Sequence, residues 1–580
     1  MYRKVQAKIE NWIKEDSKHA LLVTGARQIG KTYIIREALN NLKCDYIEIN
    51  FIENPSMTEL FSEYTNVKDF ELRLSLATNH KLQPGKTIIF FDEVQEVKDI
   101  ITMSKFLVQD TPYKYVMSGS LLGVEIKDIR SVPVGYMRII DMYPMDLSEF
   151  YRAVGVGADI IKTIENAYIN RKTVDEFVHK RLMSIFNIYL IVGGMPEAVK
   201  KYIDTNDLRS VAEVQSSIIE LYKEDFSKYN KKEKLILNEI YDAIPGELNE
   251  KNKRYYINHV EGKVKFDLVK NNFLWLSNAG VAIPVCNVTE AKTPLQMSEK
   301  RSLFKLFLSD VGMLTNMFPD ETKIKIINGD ASINNGAIFE NYVAQELKTH
   351  GYKVYYYNSK KQGEVDFVIE HDGKVLPIEV KSGKDYKKHS ALNNLLENDE
   401  YKIGEAIVLS NANVSNENGK IYLPIYMTMF LKEKKMDMVI KPDLTGLNRN
   451  VEMIMEELRH LPILVYIFDN NKDDFSDRIT LLGNSDGKRG KMHDENLRRQ
   501  IINNFIEMEK AFYNEDINLI DIKYNYDKIE AKCNRRGYDY YDSDEQIGML
   551  YQLGAEQLEE IKEQINMYKK IRKLLGIESV

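Results

Sequence analysis

Cysteine is scarce. Only Cys44, Cys286 and Cys533 occur in 580 residues, and no two form a CxxC pair. That excludes a disulfide framework or a zinc ribbon and fits a reducing cytosol. Long apolar runs are also missing. None approaches the roughly 20 residues of a membrane span. The longest, such as ILVYIF at 463–468, have the length of a buried strand. The opening residues, MYRKVQAKIENW, hold no apolar h-region and do not read as a signal peptide. A cytoplasmic protein without membrane contact is the expectation. Basic excess is absent too. The formal net charge is −7, so a nucleic-acid surface would have to be a local patch. There is no internal repeat and no low-complexity tract.

What is present is the composition of a globular chain too long for one core. From Ala20 to about Phe150, the runs ALLVT, YIEINF, TIIFFDE and YKYVMSG alternate with helical patterns. Each run is apolar on both faces, which predicts central strands of a parallel sheet covered by helices. A helical stretch follows, broken at Gly193-Gly194-Met195-Pro196.

GARQIGKT, residues 25–32, satisfies G-x-x-x-x-G-K-[ST], with a strand before it and a helix after it. Gly25, Ala26, Arg27, Gln28, Ile29 and Gly30 supply a loop whose backbone N–H groups wrap phosphates. Lys31 reaches the β/γ-phosphates and Thr32 ligates Mg²⁺. TIIFFDE ends in Asp92, expected in the Mg²⁺ shell, and Glu93, expected to activate water as general base. Alone, that run equally fits a buried strand ending in solvated acids. YVMSGS places Ser118 or Ser120 where a γ-phosphate is sensed, and Gln95 also faces that region. Arg130 and Arg138 are candidates for an arginine donated to a neighbouring subunit of a homo-oligomer. ATP and Mg²⁺ are thus the expected ligands.

A second constellation lies in GEVDFVIEHDGKVLPIEVK, residues 363–381. Asp372-Gly373 is a two-residue hairpin signal. Counting from it sets His371 opposite Lys374, Glu370 opposite Val375 and Asp366 opposite Glu379. Period-two alternation puts Glu379 and Lys381 on one face. Paired carboxylates repel unless a cation lies between them. With Glu340 from the preceding helix, the set Glu340, Asp366, Glu379 and Lys381 reads as a Mg²⁺-dependent phosphodiesterase site of the PD-(D/E)xK kind, Asp366 and Glu379 holding the ion. The competing reading is a charged outer face. Val365, Phe367, Ile369, Ile378 and Val380 are expected to form an apolar face opposite it.

Several stretches carry a family resemblance: TGARQIGKT, FDEVQ, SGSLLG, MYPMDLSEF, GGMPEAV, KEDFSKY, AIPGELN, FKLFLSDVGML, GAIFENYVAQEL, GEVDFVI and PIEVKSG. From the start to about Phe430 the sequence resembles the predicted bacterial and archaeal AAA-type P-loop ATPases with a C-terminal PD-(D/E)xK nuclease-like domain of unknown function. Many members carry a Gly-Arg pair before the MYPMDLSEF-type segment; here Gly135-Tyr136 stands there. The resemblance implies an α/β multidomain chain. Its parts are an AAA-type P-loop ATPase domain at 1–151, a helical linker at 152–230, a winged-helix-like domain at 231–325 and a restriction-endonuclease-like α/β module at 326–431. A mostly helical extension at 441–580 follows a charged linker. There, Ile547, Leu550, Gly554, Leu558, Ile561, Ile565, Tyr568, Ile571 and Leu575 recur at helical steps, an apolar face for packing or for a protein partner.

Three functions follow as alternatives. One is an ATPase acting on DNA through the nuclease-like module. Another is a nucleotide-dependent regulator or scaffold with a non-cleaving platform. The third is a DNA-binding regulator using the winged-helix-like segment. That segment shows ten Lys/Arg against seven Asp/Glu between Lys228 and Lys270, a weak excess for reading DNA.

Overall fold

The computed structural model describes residues 1–433 apart from 16, 62–66, 98–99, 121–134, 227–230, 251–253, 256–265, 331–334 and 384; beyond these it describes only 464–466 and 479–481. Arg130 and the amphipathic pattern at 547–575 lie outside the described residues. Contacts divide the chain into residues 1–435 and 436–580.

The first unit begins with α1 (Lys4–Lys14), β1 (Ala20–Thr24), α2 (Lys31–Asn41), β2 (Tyr46–Asn50), α3 (Val67–Thr78), β3 (Ile88–Asp92), α4 (Ile100–Asp110), β4 (Lys114–Gly119) and β5 (Met137–Asp141). The strands form one sheet in the order β2-β3-β4-β1-β5, every neighbour parallel. Leu21, Val23, Phe90 and Val116 pack into one core with Ile34, Ile35 and Trp12. Leu22, Ile89, Phe91 and Met117 pack into another with Phe70 and Leu74. Burial on both faces explains the unbroken apolar runs, each such side chain contributing about 1.5–3 kcal/mol. The fifth strand, MRIID, has only Ile140 buried. As a half-exposed edge it has no continuous apolar run, and the sequence pattern did not reveal it.

The next stretch is helical: α5 (Leu147–Ala153), α6 (Ala158–Ile169), α7 (Glu176–Val192), α8 (Pro196–Thr205), α9 (Leu208–Asp225) and α10 (Lys231–Asn249). In MYPMDLSEF, Asp146 and Glu149 form a capping box that starts α5. The Gly193-Gly194 break has a packing cause. A Cβ on Gly193 would lie 2.1 Å from Asp310 Oδ1, and one on Gly194 would lie 2.1 Å from Met145 O. Gly194 N–H donates to Asp310 Oδ2 at 2.6 Å. Pro196 then opens α8, where its missing N–H costs nothing.

After α11 (Phe266–Asn278) come β6 (Ala282–Val288), β7 (Glu299–Leu308), α12 (Val311–Asn316), α13 (Asp320–Ile327), α14 (Gly336–Thr349), β8 (Tyr355–Ser359), β9 (Gly363–His371), β10 (Lys374–Val380), α15 (Ser390–Leu396), β11 (Ala406–Ser410), β12 (Ser415–Glu417) and β13 (Lys420–Pro424). These eight strands form one mixed sheet in the order β12-β13-β11-β10-β9-β8-β6-β7. The expected boundary at 325/326 therefore cuts through a sheet. The β6/β7 hairpin, expected within a winged-helix-like unit, pairs in parallel with β8 through Cys286–Tyr355 and Val288–Tyr357. The β6/β7 pairing is local, whereas the β6/β8 pairing joins residues 69 positions apart, Cys286 and Tyr355 (355 − 286).

The β9/β10 hairpin pairs Lys374 with His371, Val375 with Glu370 and Ile378 with Phe367; Pro377 stands opposite Val368 with no shift of register. Phe367, Ile369, Ile378 and Val380 share a core, but Val365 packs instead with Val368, Val408 and Tyr422. The cause is an irregularity in the β8/β9 ladder between Tyr355 and Tyr357. In the second unit, β14 (Leu464–Tyr466) and β15 (Ile479–Leu481) form an antiparallel pair within the strand-like runs ILVYIF and ITLL.

Candidate functional sites

The strand order sets the first site. Placing β4 between β1 and β3 brings the ends of all three strands together, with β2 on the far side of β3. β1 leads into the loop at 25–30, and Lys31 opens α2. Gly25 adopts φ 144°, and a Cβ there would lie 2.2 Å from Met142 O. Gly30 caps α2 in the left-handed region, and Gln28 adopts φ 63°. Backbone that close and that curled can turn its N–H groups toward a phosphate.

Asp92 is the hub. Thr32 Oγ1 donates to its Oδ2 at 2.9 Å and Asn50 Nδ2 at 3.0 Å. Ser118 Oγ donates to Oδ1. Burial raises the Asp92 pKa, while the Ser118 and Thr32 hydrogen bonds pull it back. Thr32 Oγ1 and Asp92 Oδ2 are separated by the distance of two adjacent octahedral ligands about 2.1 Å from a Mg²⁺. These residues fit that ion. Asn50 was not foreseen; its register partner on β3 is Asp92 itself.

Lys31 is buried and donates to Gly25 O at 3.0 Å and Ala26 O at 2.7 Å. Burial brings its pKa down to about 8, with Glu93 and Asp92 opposing that fall. Glu93 sits in the left-handed region at φ 57°. Its Oε2 accepts from Gln95 Nε2 at 2.6 Å, and Gln95 also reaches Ser120 Oγ at 3.4 Å. Ser118 thus touches Asp92, and Ser120 touches Gln95.

The middle of the chain clamps the loop. Arg27 pairs with Asp225 at 3.0 Å. Tyr222 donates to Arg27 O at 3.2 Å. A Cβ on Gly280 would lie 3.1 Å from Ala26 N. None of these partners was foreseen, because each is over 190 residues away. Arg138 pairs with Glu15 at 2.8 Å on an exposed surface.

The second constellation contains a residue that sequence reasoning missed. Lys305, on β7, is fully buried, and its Nζ lies 2.9 Å from Glu364 Oε1, 3.6 Å from Glu340 Oε2 and 3.9 Å from Asp366 Oδ1. Burial opposes its charge, but Glu340, Asp366 and Glu364 more than offset this and raise its pKa. Asp366 Oδ2 also accepts Val380 N–H at 2.9 Å. Glu379 Oε1 lies 2.7 Å from Lys381 Nζ. Burial and then the Asp366 charge raise the Glu379 pKa, with Lys381 opposing. Glu340 and Asp366 therefore meet at Lys305, while Glu379 pairs with Lys381. The missed signal was visible in LFKLFL, a lysine inside an apolar run that must be buried with partners.

Residues 17–151 match a family described as an AAA domain. Residues 183–324 and 335–428 match two domains of unknown function, DUF8612 and DUF4143. The chain thus carries an AAA-type P-loop ATPase domain on a parallel-sheet core. Solved structures similar to it include the Walker-type ATPase PABY2304 of Pyrococcus abyssi, at 13% identity over 55% of this chain and 95% of that one, with a TM-score of 0.33. PCH-2 of C. elegans is similar at 14% identity over 36% and 67%, with a TM-score of 0.22. No curated protein matches. Among the described residues, no helix is long and apolar enough to cross a membrane.

Proposed function

We propose that the protein binds ATP with Mg²⁺ and hydrolyses it, and that its C-terminal sheet is a restriction-endonuclease-like module through which it contacts DNA. The observation that carries the first part is the Asp92 carboxylate. It draws Thr32 from the P-loop helix, Ser118 from β4 and Asn50 from β2 onto one point. A buried carboxylate with three neutral donors and no paired cation among them is arranged for an ion delivered with its substrate.

Lys31 leaves the carbonyls of Gly25 and Ala26 for the β/γ-phosphates, exchanging neutral acceptors for charged ones. The loop at 25–30 supplies backbone N–H groups to the same phosphates. Thr32 and Asp92 would hold Mg²⁺, which would supply positive charge to the phosphoryl oxygens. Glu93 takes the proton of the attacking water, and Gln95 holds its carboxylate in place. Arg27, Tyr222 and Asp225 tie the loop to α9, so a change at the phosphates reaches the helical segment.

The module reading is supported by α14 and β9 bringing Glu340 and Asp366 to one spot, with Glu379 and Lys381 alongside on β10 and just after it. Its link to DNA rests on fold likeness. ATP turnover measured alone and with single- or double-stranded DNA tests both parts. Turnover abolished by Lys31→Ala and stimulated by DNA is the expected result. Turnover unchanged by Lys31→Ala removes the ATPase assignment, and indifference to both DNAs removes the DNA link.

A further inference from the structure

A restriction-endonuclease-like site works through a divalent cation held by carboxylates, and the residues here do not fit that ion. Lys305 fills the space. It is the one group within 4 Å of Glu340, Glu364 and Asp366 together in the ion pairs given above. The ring of Tyr356 lies under its ammonium, 5.1 Å from Nζ to the centroid. A Mg²⁺ ligated by Glu340 and Asp366 would sit about 2.1 Å from their oxygens. Those oxygens are 3.6 and 3.9 Å from Nζ. Two cations would then share one pocket from which water is largely excluded, where their repulsion is strong. One oxygen of the remaining carboxylate of the motif, Glu379 Oε1, pairs with Lys381 Nζ at 2.7 Å. Among the described residues, no three His, Cys, Asp or Glu groups are placed to hold a metal.

We infer that Lys305 is the built-in cation of this site: its ammonium takes the place of the divalent ion, so the protein holds no Mg²⁺ or Mn²⁺ there and cuts no phosphodiester through it. Removing the ammonium while keeping the carboxylates opens a metal site. The inference rests on reading the sheet and α14 as a restriction-endonuclease-like module. It also makes the module a binding surface whose fixed internal charge replaces an exchangeable one.

The test counts Mn²⁺ bound to the full chain without nucleotide, by calorimetry and by the electron paramagnetic resonance of free Mn²⁺. All proteins carry Asp92→Asn, which removes the carboxylate of the P-loop site. With Lys305 intact, no Mn²⁺ sensitive to Asp366→Asn is expected. With Lys305→Met, one Mn²⁺ per chain is expected, lost again when Asp366→Asn is added. Mn²⁺ bound with Lys305 in place and lost on Asp366→Asn overturns the inference while leaving the module reading intact. A folded Lys305→Met protein that binds no Mn²⁺ overturns both, since the carboxylates then form no latent metal site. Lys305→Met removes the cation that sits among Glu340, Glu364 and Asp366, so its fold is checked in Mn²⁺ and in EDTA. Folding in Mn²⁺ alone supports the inference. If the variant folds in neither, the Lys305-intact pair decides: equal Mn²⁺ counts with and without Asp366→Asn support it, and one ion fewer overturns it.

Discussion

ATP affinity should fall as pH rises through about 8, because Lys31 loses its proton in the free protein before it does so in the complex. Its ammonium is buried and, among the described residues, donates to two carbonyls, Gly25 O and Ala26 O. Burial therefore brings its pKa down to about 8, against an ordinary lysine value of 10.5. Bound phosphates favour the charged form and raise that value again. The sign follows by linkage: below the free pKa the lysine is already charged and affinity is flat. Above it, binding must take up a proton, and affinity drops by up to about tenfold per pH unit until the bound-state pKa is reached. With a free value of 8, the charged fraction falls from about 0.9 at pH 7 to about 0.1 at pH 9, so the dissociation constant rises about tenfold across that window. The terminal phosphate is already ionised there. Binding of a fluorescent ATP analogue at fixed Mg²⁺ is the assay. Lys31→Met should bind weakly and show no such slope. A wild-type affinity that stays flat from pH 7 to 9 would refute the reasoning and mean that Lys31 does not gain its charge partner from the nucleotide.

Three further outcomes are expected. Glu93→Gln should lower turnover by about 10²–10⁴-fold while ATP affinity stays close to wild type, since only the proton acceptor is lost; turnover at the original rate would remove Glu93 as the base. Gly194→Ala should destabilise the fold by about 3 kcal/mol in urea denaturation, because its Cβ would lie 2.1 Å from Met145 O, a backbone atom that cannot swing aside. A change below about 0.5 kcal/mol would show that the Gly193-Gly194 break tolerates a side chain. A chain ending at Lys435 should fold and bind ATP, because contacts separate 1–435 from the rest; aggregation on expression would show that the extension completes a core.

What could be read from the residues alone was whatever is encoded contiguously. The P-loop, the Asp92-Glu93 strand end and the Asp372-Gly373 turn each fit within a dozen residues, and their chemistry follows from spacing. The hairpin register could be counted because one two-residue turn sets it, and Pro377 did not disturb the pairing. Legibility stopped where a side chain's role depends on a partner far along the chain. Val365 obeys the period-two rule in sequence but leaves the expected face, because the neighbouring ladder shifts beside it. The segment holding β6 and β7 was assigned to a unit ending at 325, while β8, the parallel partner of β6, follows three helices after β7. Lys305 is the sharpest case. In LFKLFL its neighbours require burial, and a buried ammonium requires carboxylates. That much was available from the sequence. Which carboxylates was not, because Glu340 lies on a helix and Glu364 and Asp366 on β9, three places across the sheet from β7. The motif supplied Glu340 and Asp366, and only the sheet order brings Glu364 and the Lys305 ammonium to them.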